Sequence, residues 1–353
     1  MANLSTLLVN TPGGLWTTII NFFESGVASF ALAIILLTVC IKLLMSPLDF
    51  MNKKVARDNA RMQAVMAPQM AKLQKQYGHD RNLLNQKTAE LYKSSGFSMG
   101  GSCVVMLTYL VLTIVIFFTL FSTLMGSTPY RVEQQYLDLR QAYVETVGTE
   151  EDKKQAVLEV YDSRDSKFLW VQNVWFADNP WTSATPTFEK YLSIVGKEVK
   201  TSHNGETTNL KQLKESDETA YNTFIENFKT EYNQVMVIVQ ENRPATNGYL
   251  ITALLAVGTA FLSQYLMQRK NVSKVEKDST ITTPKMNKGM LIIMPIVMGM
   301  FTLFYNAVFG LYIVASQLVS MALFPVFDKI LDKMDAKRIA KAEAKIKADY
   351  SRK

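Results

Sequence analysis

Four apolar stretches constrain this chain more than any other feature. Val27–Met45, Cys103–Met125 and Gly248–Met267 each have about the 20 residues that a helix needs to cross a hydrocarbon core, and Met290–Phe327 is too long for one crossing. In lipid every backbone N–H and C=O must be satisfied within its own segment, so each stretch is expected to be a helix. The long run is expected to fold back near Tyr305–Asn306 and supply two, giving five spans joined at their end by a very short turn. The chain is 48% hydrophobic and 20% charged, and the two classes are segregated instead of interleaved as in a soluble domain.

Charge is segregated as well. The net charge is +7, but residues 126–248 hold 13 basic and 19 acidic side chains, so this segment is acidic and the rest strongly basic. Basic residues crowd Lys53–Lys93, Arg269–Lys288 and Lys329–Lys353. Because Lys and Arg accumulate on the cytoplasmic side, these three are expected inside, and the 126–247 segment and the N-terminus outside. The implied order is an N-terminal segment (1–26), a first span (27–48), a cytoplasmic helical hairpin (49–97), a second span (98–125), a mainly helical extracytoplasmic insertion (126–247), a third span (248–267), a loop (268–288), two spans (289–327) and a basic tail (328–353). No basic region precedes the first apolar run, so that span is expected to be retained. Leu15–Phe23 suits a short interfacial helix.

Pro47 is expected to close the first span, Gly78 to break the helix that follows, Asp80 to cap the second arm of the hairpin and Gly96 to end it. Met62, Met66 and Met70 repeat every four residues on the first arm. They suit packing between the arms, and they also suit an adaptable surface for apolar client segments, because unbranched Met is favoured at promiscuous faces. In the insertion, helices are expected around Tyr130–Thr146, Glu151–Tyr161 and Glu215–Val239. Trp170, Trp175 and Trp181 fit either a membrane-surface anchor or a small core. The tail reads as a solvated basic helix, with anionic lipid headgroups or RNA phosphates as alternative partners.

Enzyme chemistry finds no support. The two histidines, His79 and His203, are expected on opposite sides of the membrane, and the chain has neither a phosphate-binding loop nor an HExxH motif. Cys40 and Cys103, in or at the edge of spans, have no CxxC spacing, so no disulfide framework, metal site or cofactor is implied. The spans do contain polar side chains: Thr38 and Lys42 in the first, Thr108 and Tyr109 in the second, Ser263 and Gln264 in the third, and Tyr312, Ser316 and Gln317 in the fifth. A cation at mid-membrane costs roughly 2.5–3.5 kcal/mol on insertion scales. With no carboxylate in any predicted span, Lys42 is expected either to reach back to the headgroups or to face a hydrated groove. A transporter would call for coupled carboxylates or an inverted repeat, and a mere anchor would leave Lys42 and the methionine stripe without a task.

The run from Thr38 through Lys42 to Pro47 and Leu48 is followed by Pro68, by Leu91, Tyr92 and Lys93, and by Cys103 entering the second span. Phe168, Leu169 and Trp170 come next, then Gln264, Met294 and Pro295, and Leu311 and Tyr312. In this order these residues resemble the YidC/Oxa/Alb family of membrane protein insertases. The resemblance implies five helices around a polar groove open to cytoplasm and lipid. Its groove cation, commonly arginine in the family, is Lys42, with Thr38, Thr108, Tyr109, Gln264, Tyr312 and Gln317 lining the groove. The chain departs from the family pattern at Met99, Val105 and Val111, where prolines are usual, at Tyr109 in place of glutamine, and at Ile313 in place of a second tyrosine. The implied partners are nascent membrane proteins and lipid, with the Sec translocon and, through the tail, the ribosome as further candidates.

Overall fold

In the computed structural model of the chain the described residues are 12–27, 29–94, 99–196, 199–203, 206–273 and 288–350. Their elements, in order, are α1 (Leu15–Glu24), α2 (Phe30–Tyr77), α3 (Arg81–Ser94), α4 (Met99–Glu145), α5 (Glu150–Ser163), α6 (Phe188–Val195), β1 (Lys200–His203), β2 (Glu206–Asn209), α7 (Leu210–Ser216), α8 (Glu218–Asn242), α9 (Ile251–Ser273), α10 (Lys288–Phe304) and α11 (Ala307–Tyr350). Three helical segments, Phe30–Met62, Cys103–Glu145 and Ala307–Arg338, are long and apolar enough to cross a membrane, and Ile251–Met267 and Ile292–Phe304 are shorter apolar helices. The protein is an all-α polytopic membrane protein, with one antiparallel hairpin, β1–β2, as its only sheet among the described residues. Gly96 and residues 274–287 of the expected 268–288 loop lie outside the described residues.

The expected break at Pro47 does not occur, and other prolines also lie within helices. Pro47 and Pro68 both lie inside α2, Pro129 inside α4 and Pro325 inside α11. An interior proline forfeits one backbone hydrogen bond and crowds the preceding turn, a local cost that packing of the flanking turns can offset. Gly78 does end α2: a Cβ there would lie 2.4 Å from the carbonyl oxygen of Gln74. Asp80 then caps α3, its Oδ1 accepting from the backbone N–H of Asn82 at 3.0 Å and of Leu83 at 3.1 Å.

The chain forms two compact units. The first takes Met1–Thr38, Phe117–Ala256 and Met298–Ile313. Its core is aromatic: Tyr136, Tyr191, Phe228 and Tyr232 are buried, and ring centroids of Tyr191 and Tyr232 lie 4.7 Å apart. Glu24 of α1 holds Arg131 of α4 through two hydrogen bonds of 2.7 and 2.6 Å. Between α5 and α6 the chain has no regular structure, and its polar side chains take over the role of a backbone ladder. Asn247, fully buried, accepts from the N–H of Asn173 and donates to the carbonyls of Asn173 and Ala177. Asp178 accepts from the N–H groups of Tyr249 at 2.8 Å and Thr252 at 2.7 Å and from the Trp170 indole at 2.9 Å. It thereby caps α9 and brackets Leu250, whose φ of 66° is rare for a branched residue.

The same loop serves α11. The N–H groups of Ala307 and Val308, orphan donors at a helix start, bond to the carbonyls of Phe176 and Val174 at 2.9 and 3.0 Å. Asn306 completes the tight turn between α10 and α11, its Oδ1 accepting from Phe309 N–H and its amide donating to Thr128. Trp175 is buried in this region, and Trp181 is exposed. Of the two readings of the tryptophans, the core reading therefore describes Trp175.

The second unit takes Val39–Ile116, Val257–Val297 and Val314–Lys353. Lys53 on α2 is fully buried, with its ammonium 3.0 Å from Asp328 Oδ1 of α11, 3.2 Å from the Phe324 carbonyl and 4.9 Å from the Phe324 ring centroid. One turn on, Arg57 meets Asp332 and, at 3.3 Å, Asp335; one turn further, Arg61 forks onto Asp335. The first turns of the expected solvated tail are therefore docked. Their acids, spaced to share one helix face, answer three cations spaced by four on α2.

Asp328→Ala is expected to cost roughly 3–5 kcal/mol because it strands a buried ammonium, whereas Lys53→Met with Asp328→Leu recovers most of that loss. Thermal unfolding in detergent checks this; equal losses in the single and double variants would exclude the pair as the cause. Gly248→Ala places a Cβ 1.8 Å from Asp178 Oδ1. Displacing that carboxylate is expected to cost roughly 1–3 kcal/mol by unpairing the buried N–H groups it accepts from, read by the same melts.

Candidate functional site

Lys42 is half-buried, and the helix that bears it continues unbroken beyond Pro47. Continuity keeps the α-helical period running, so Asp49, seven residues on, returns to the Lys42 face about 10 Å further along the axis. Asp49 is buried, with one carboxylate oxygen lacking a hydrogen-bond partner. Lys42 lies within its electrostatic reach, and the Tyr109 hydroxyl of α4 hydrogen-bonds with it. Thr113, one turn beyond Tyr109, shares that hydroxyl. The second unit thus holds a cluster of one ammonium, one carboxylate, one phenol and one small hydroxyl beside the apolar runs of α2 and α4.

This corrects the expectation that no acid would attend Lys42. A Pro-terminated span would have released Asp49 into the hairpin, out of register with Lys42. A helix that tolerates Pro47 keeps it in register. The spacing of seven between Lys42 and Asp49 carries this pairing once the helix runs through Pro47.

The other sequence-derived positions are distributed over both units. In the second, Tyr109 stands beside Asp49, Thr108 is exposed on the neighbouring face of α4, and Gln264 and Gln317 are half-buried on α9 and α11. In the first, Thr38 is buried and its hydroxyl donates to the Ile34 carbonyl at 2.6 Å, one turn back on its own helix. Tyr312 is packed against aromatic rings, 6.0 Å from Phe309 and 6.4 Å from Phe117 between centroids. On the methionine stripe Met66 is buried, and Met62 and Met70 are half-buried. Among the described residues no group of three His, Cys, Asp or Glu side chains is placed to hold a metal ion.

Comparison with known proteins places these helices in context. The sequence profile described as "60Kd inner membrane protein" matches residues 22–334. A membrane protein insertase YidC of Maridesulfovibrio salexigens is 37% identical over 112 residues, 32% of this chain and 19% of the relative. Another of that name, from Magnetococcus marinus, is 36% identical over 113 residues, again 32% and 19%. A third, from Oleidesulfovibrio alaskensis, is 33% identical over 112 residues. The aligned stretch therefore spans about a fifth of the relatives' own length. No solved structure matches the chain.

Lys42→Met is expected to destabilise the second unit by roughly 1–3 kcal/mol, since it removes the cation acting on a buried carboxylate in a medium of reduced dielectric. Adding Asp49→Asn should return most of that loss in thermal unfolding. A loss untouched by the second substitution would exclude the coupling.

Proposed function

Because the chain belongs to the 60Kd inner membrane protein family, we propose that it is a membrane protein insertase and chaperone. It brings hydrophilic segments of client proteins into the bilayer along a polar surface and releases their apolar helices to lipid. The observation that carries this reading is the Lys42–Asp49–Tyr109 cluster, a charged group kept in an apolar span by an intramembrane partner. Unsatisfied backbone groups in hydrocarbon each cost several kcal/mol, so a surface that offers hydrogen bonds lowers the barrier for a client's polar tail or loop. Lys42 attracts acidic and carbonyl groups of that segment. Tyr109, Thr108, Gln264 and Gln317 offer hydrogen bonds. Thr38 and Tyr312 are separate client-contact positions of the first unit, and Met62, Met66 and Met70 form a soft apolar contact for clients on the hairpin. Burial of the client's apolar helix, aided by the membrane potential acting on its negative residues, drives release, and no nucleotide is consumed.

The protein is a multi-pass membrane protein. The charge distribution supports a plasma-membrane location with the N-terminus and the 126–247 segment outside and the hairpin and tail in the cytoplasm. Clients are nascent membrane proteins, and the Sec translocon is a candidate partner. Ribosome docking would fall to the tail beyond Asp335, since Asp328, Asp332 and Asp335 are engaged with α2.

Depletion of the native chain, complementation with variants and a client-insertion assay test the reading. Lys42→Arg is expected to retain insertion, and Lys42→Glu, which sets a second acid beside Asp49, to lower it by about tenfold, the effect of roughly 1.4 kcal/mol. Equal activity of the Ala, Arg and Glu variants would remove the charge from the mechanism. Photo-crosslinkers at Tyr109 or Gln317 are expected to capture nascent clients more than one at Leu44, which is 82% exposed. Truncation after Asp335, which spares the docked turns, is expected to reduce ribosome co-sedimentation; no change would exclude the tail as the docking element.

A further inference from the structure

The first unit contains a cavity of about 630 Å³ between α4, α5, α6 and α8, within the usual size range of ligand pockets. Its interior is aromatic, and two of the lining tyrosines present an unmet need. Tyr136 and Tyr191 are 2% and 1% exposed, and each hydroxyl is buried without a hydrogen-bond partner. A buried hydroxyl left unpaired is costly, so two around one cavity mark a place for polar atoms of something bound.

The mouth carries carboxylates. Asp138 and Asp165 line it, are solvent-exposed at residue level, and lie within electrostatic reach of each other. Partial burial pushes the Asp165 carboxyl up, and Glu24, hydrogen-bonded to it, pushes the same way against Arg131. Asp165 thus shares the Arg131 guanidinium with Glu24, which holds it in a two-point pair. The other arginine of the wall, Arg164, spends both terminal nitrogens on the carbonyls of Tyr161 and Gln172 and stacks 3.3 Å from the Tyr161 ring centroid. Those two bonds use two of its five N–H groups. The side chains lining the cavity carry three carboxylates, Asp138, Glu145 and Asp165, against two guanidiniums, so the wall is acidic on balance.

We propose that the cavity is a binding site for an organic cation bearing ammonium or guanidinium groups. Asp138 and Asp165 take the positive group at the mouth, and the hydroxyls of Tyr136 and Tyr191 accept hydrogen bonds further in. Aromatic walls favour such a cation beyond hydrogen bonding, because ring faces attract positive charge. Free polyamines and the basic side chains of polypeptides share this chemistry, and the site itself is independent of the insertase reading.

Calorimetric titration of the full chain in detergent tests the proposal with two probes, spermidine and an acetylated, amidated Gly-Lys-Gly peptide. Saturable binding of at least one probe is expected. It should weaken by about tenfold or more in Asp138→Asn with Asp165→Asn, an effect equivalent to about 1.4 kcal/mol, and stay unchanged in Glu159→Gln, a charge-matched exposed position on α5. Tyr191→Phe, which keeps the ring, is expected to weaken binding by roughly two- to tenfold, as for loss of one neutral hydrogen bond. Preference for spermidine assigns a free amine as the ligand, and preference for the peptide assigns a basic side chain. Absence of saturable binding by either probe, or binding that survives the double substitution unchanged, overturns the proposal.

Discussion

A buried ammonium cannot be left without a counter-charge, and the pairing of Lys53 with Asp328 meets that requirement across nearly the whole length of the chain. Removal of either group would leave an isolated charge in a medium where desolvation costs several kcal/mol. The partners therefore determine which face of α2 meets which face of α11 in the second unit. Arg57 and Arg61 extend the contact by further turns, so three cations at i, i+4 and i+8 are matched by acids at 328, 332 and 335. Such a row also specifies register, because a slide by one turn would set Lys53 against Phe324, which has no charge to offer.

The second consequence of a continuous α2 concerns Lys42. A helix that runs straight through Pro47 carries Asp49 back beneath Lys42, and Tyr109 closes the cluster from α4. The local charge is then balanced in the resting protein, not simply positive. An acidic client segment would compete with Asp49 for the ammonium, so recognition becomes an exchange of partners. Exchange keeps the interaction reversible, which suits a surface that must release what it binds.

The first unit solves a different problem. Its loop between α5 and α6 has no ladder of its own, so Asn247, Asp178 and Asn306 supply the missing donors and acceptors, and the loop's carbonyls finish the first turn of α11. Buried polar networks of this kind are stable only when nearly every member is satisfied. Buried oxygens of Ser166, Asn179 and Thr252 remain without a partner in and beside this loop, and the hydroxyls of Tyr136 and Tyr191 do so around the neighbouring cavity.

Much of the architecture was legible from residues alone. Apolar runs of spanning length, the turn at Tyr305–Asn306, the cap at Asp80 and the stop at Gly78 depend on hydration and local backbone geometry, which act over a few residues wherever those residues sit. The residue pattern from Thr38 to Tyr312 pointed in the same way to the family, and polar positions inside apolar runs were visible as exceptions to a simple rule. The short elements α6, β1, β2 and α7 were not legible, because their stability comes from packing on the aromatic core and not from propensity. Nor was the company of each charge. Asp49 became Lys42's neighbour only because packing let α2 tolerate a proline, and the acids of the tail became structural only because α11 lies along α2. Composition records how many charges a chain carries; which of them meet depends on distances between segments hundreds of residues apart, and only the folded chain sets those.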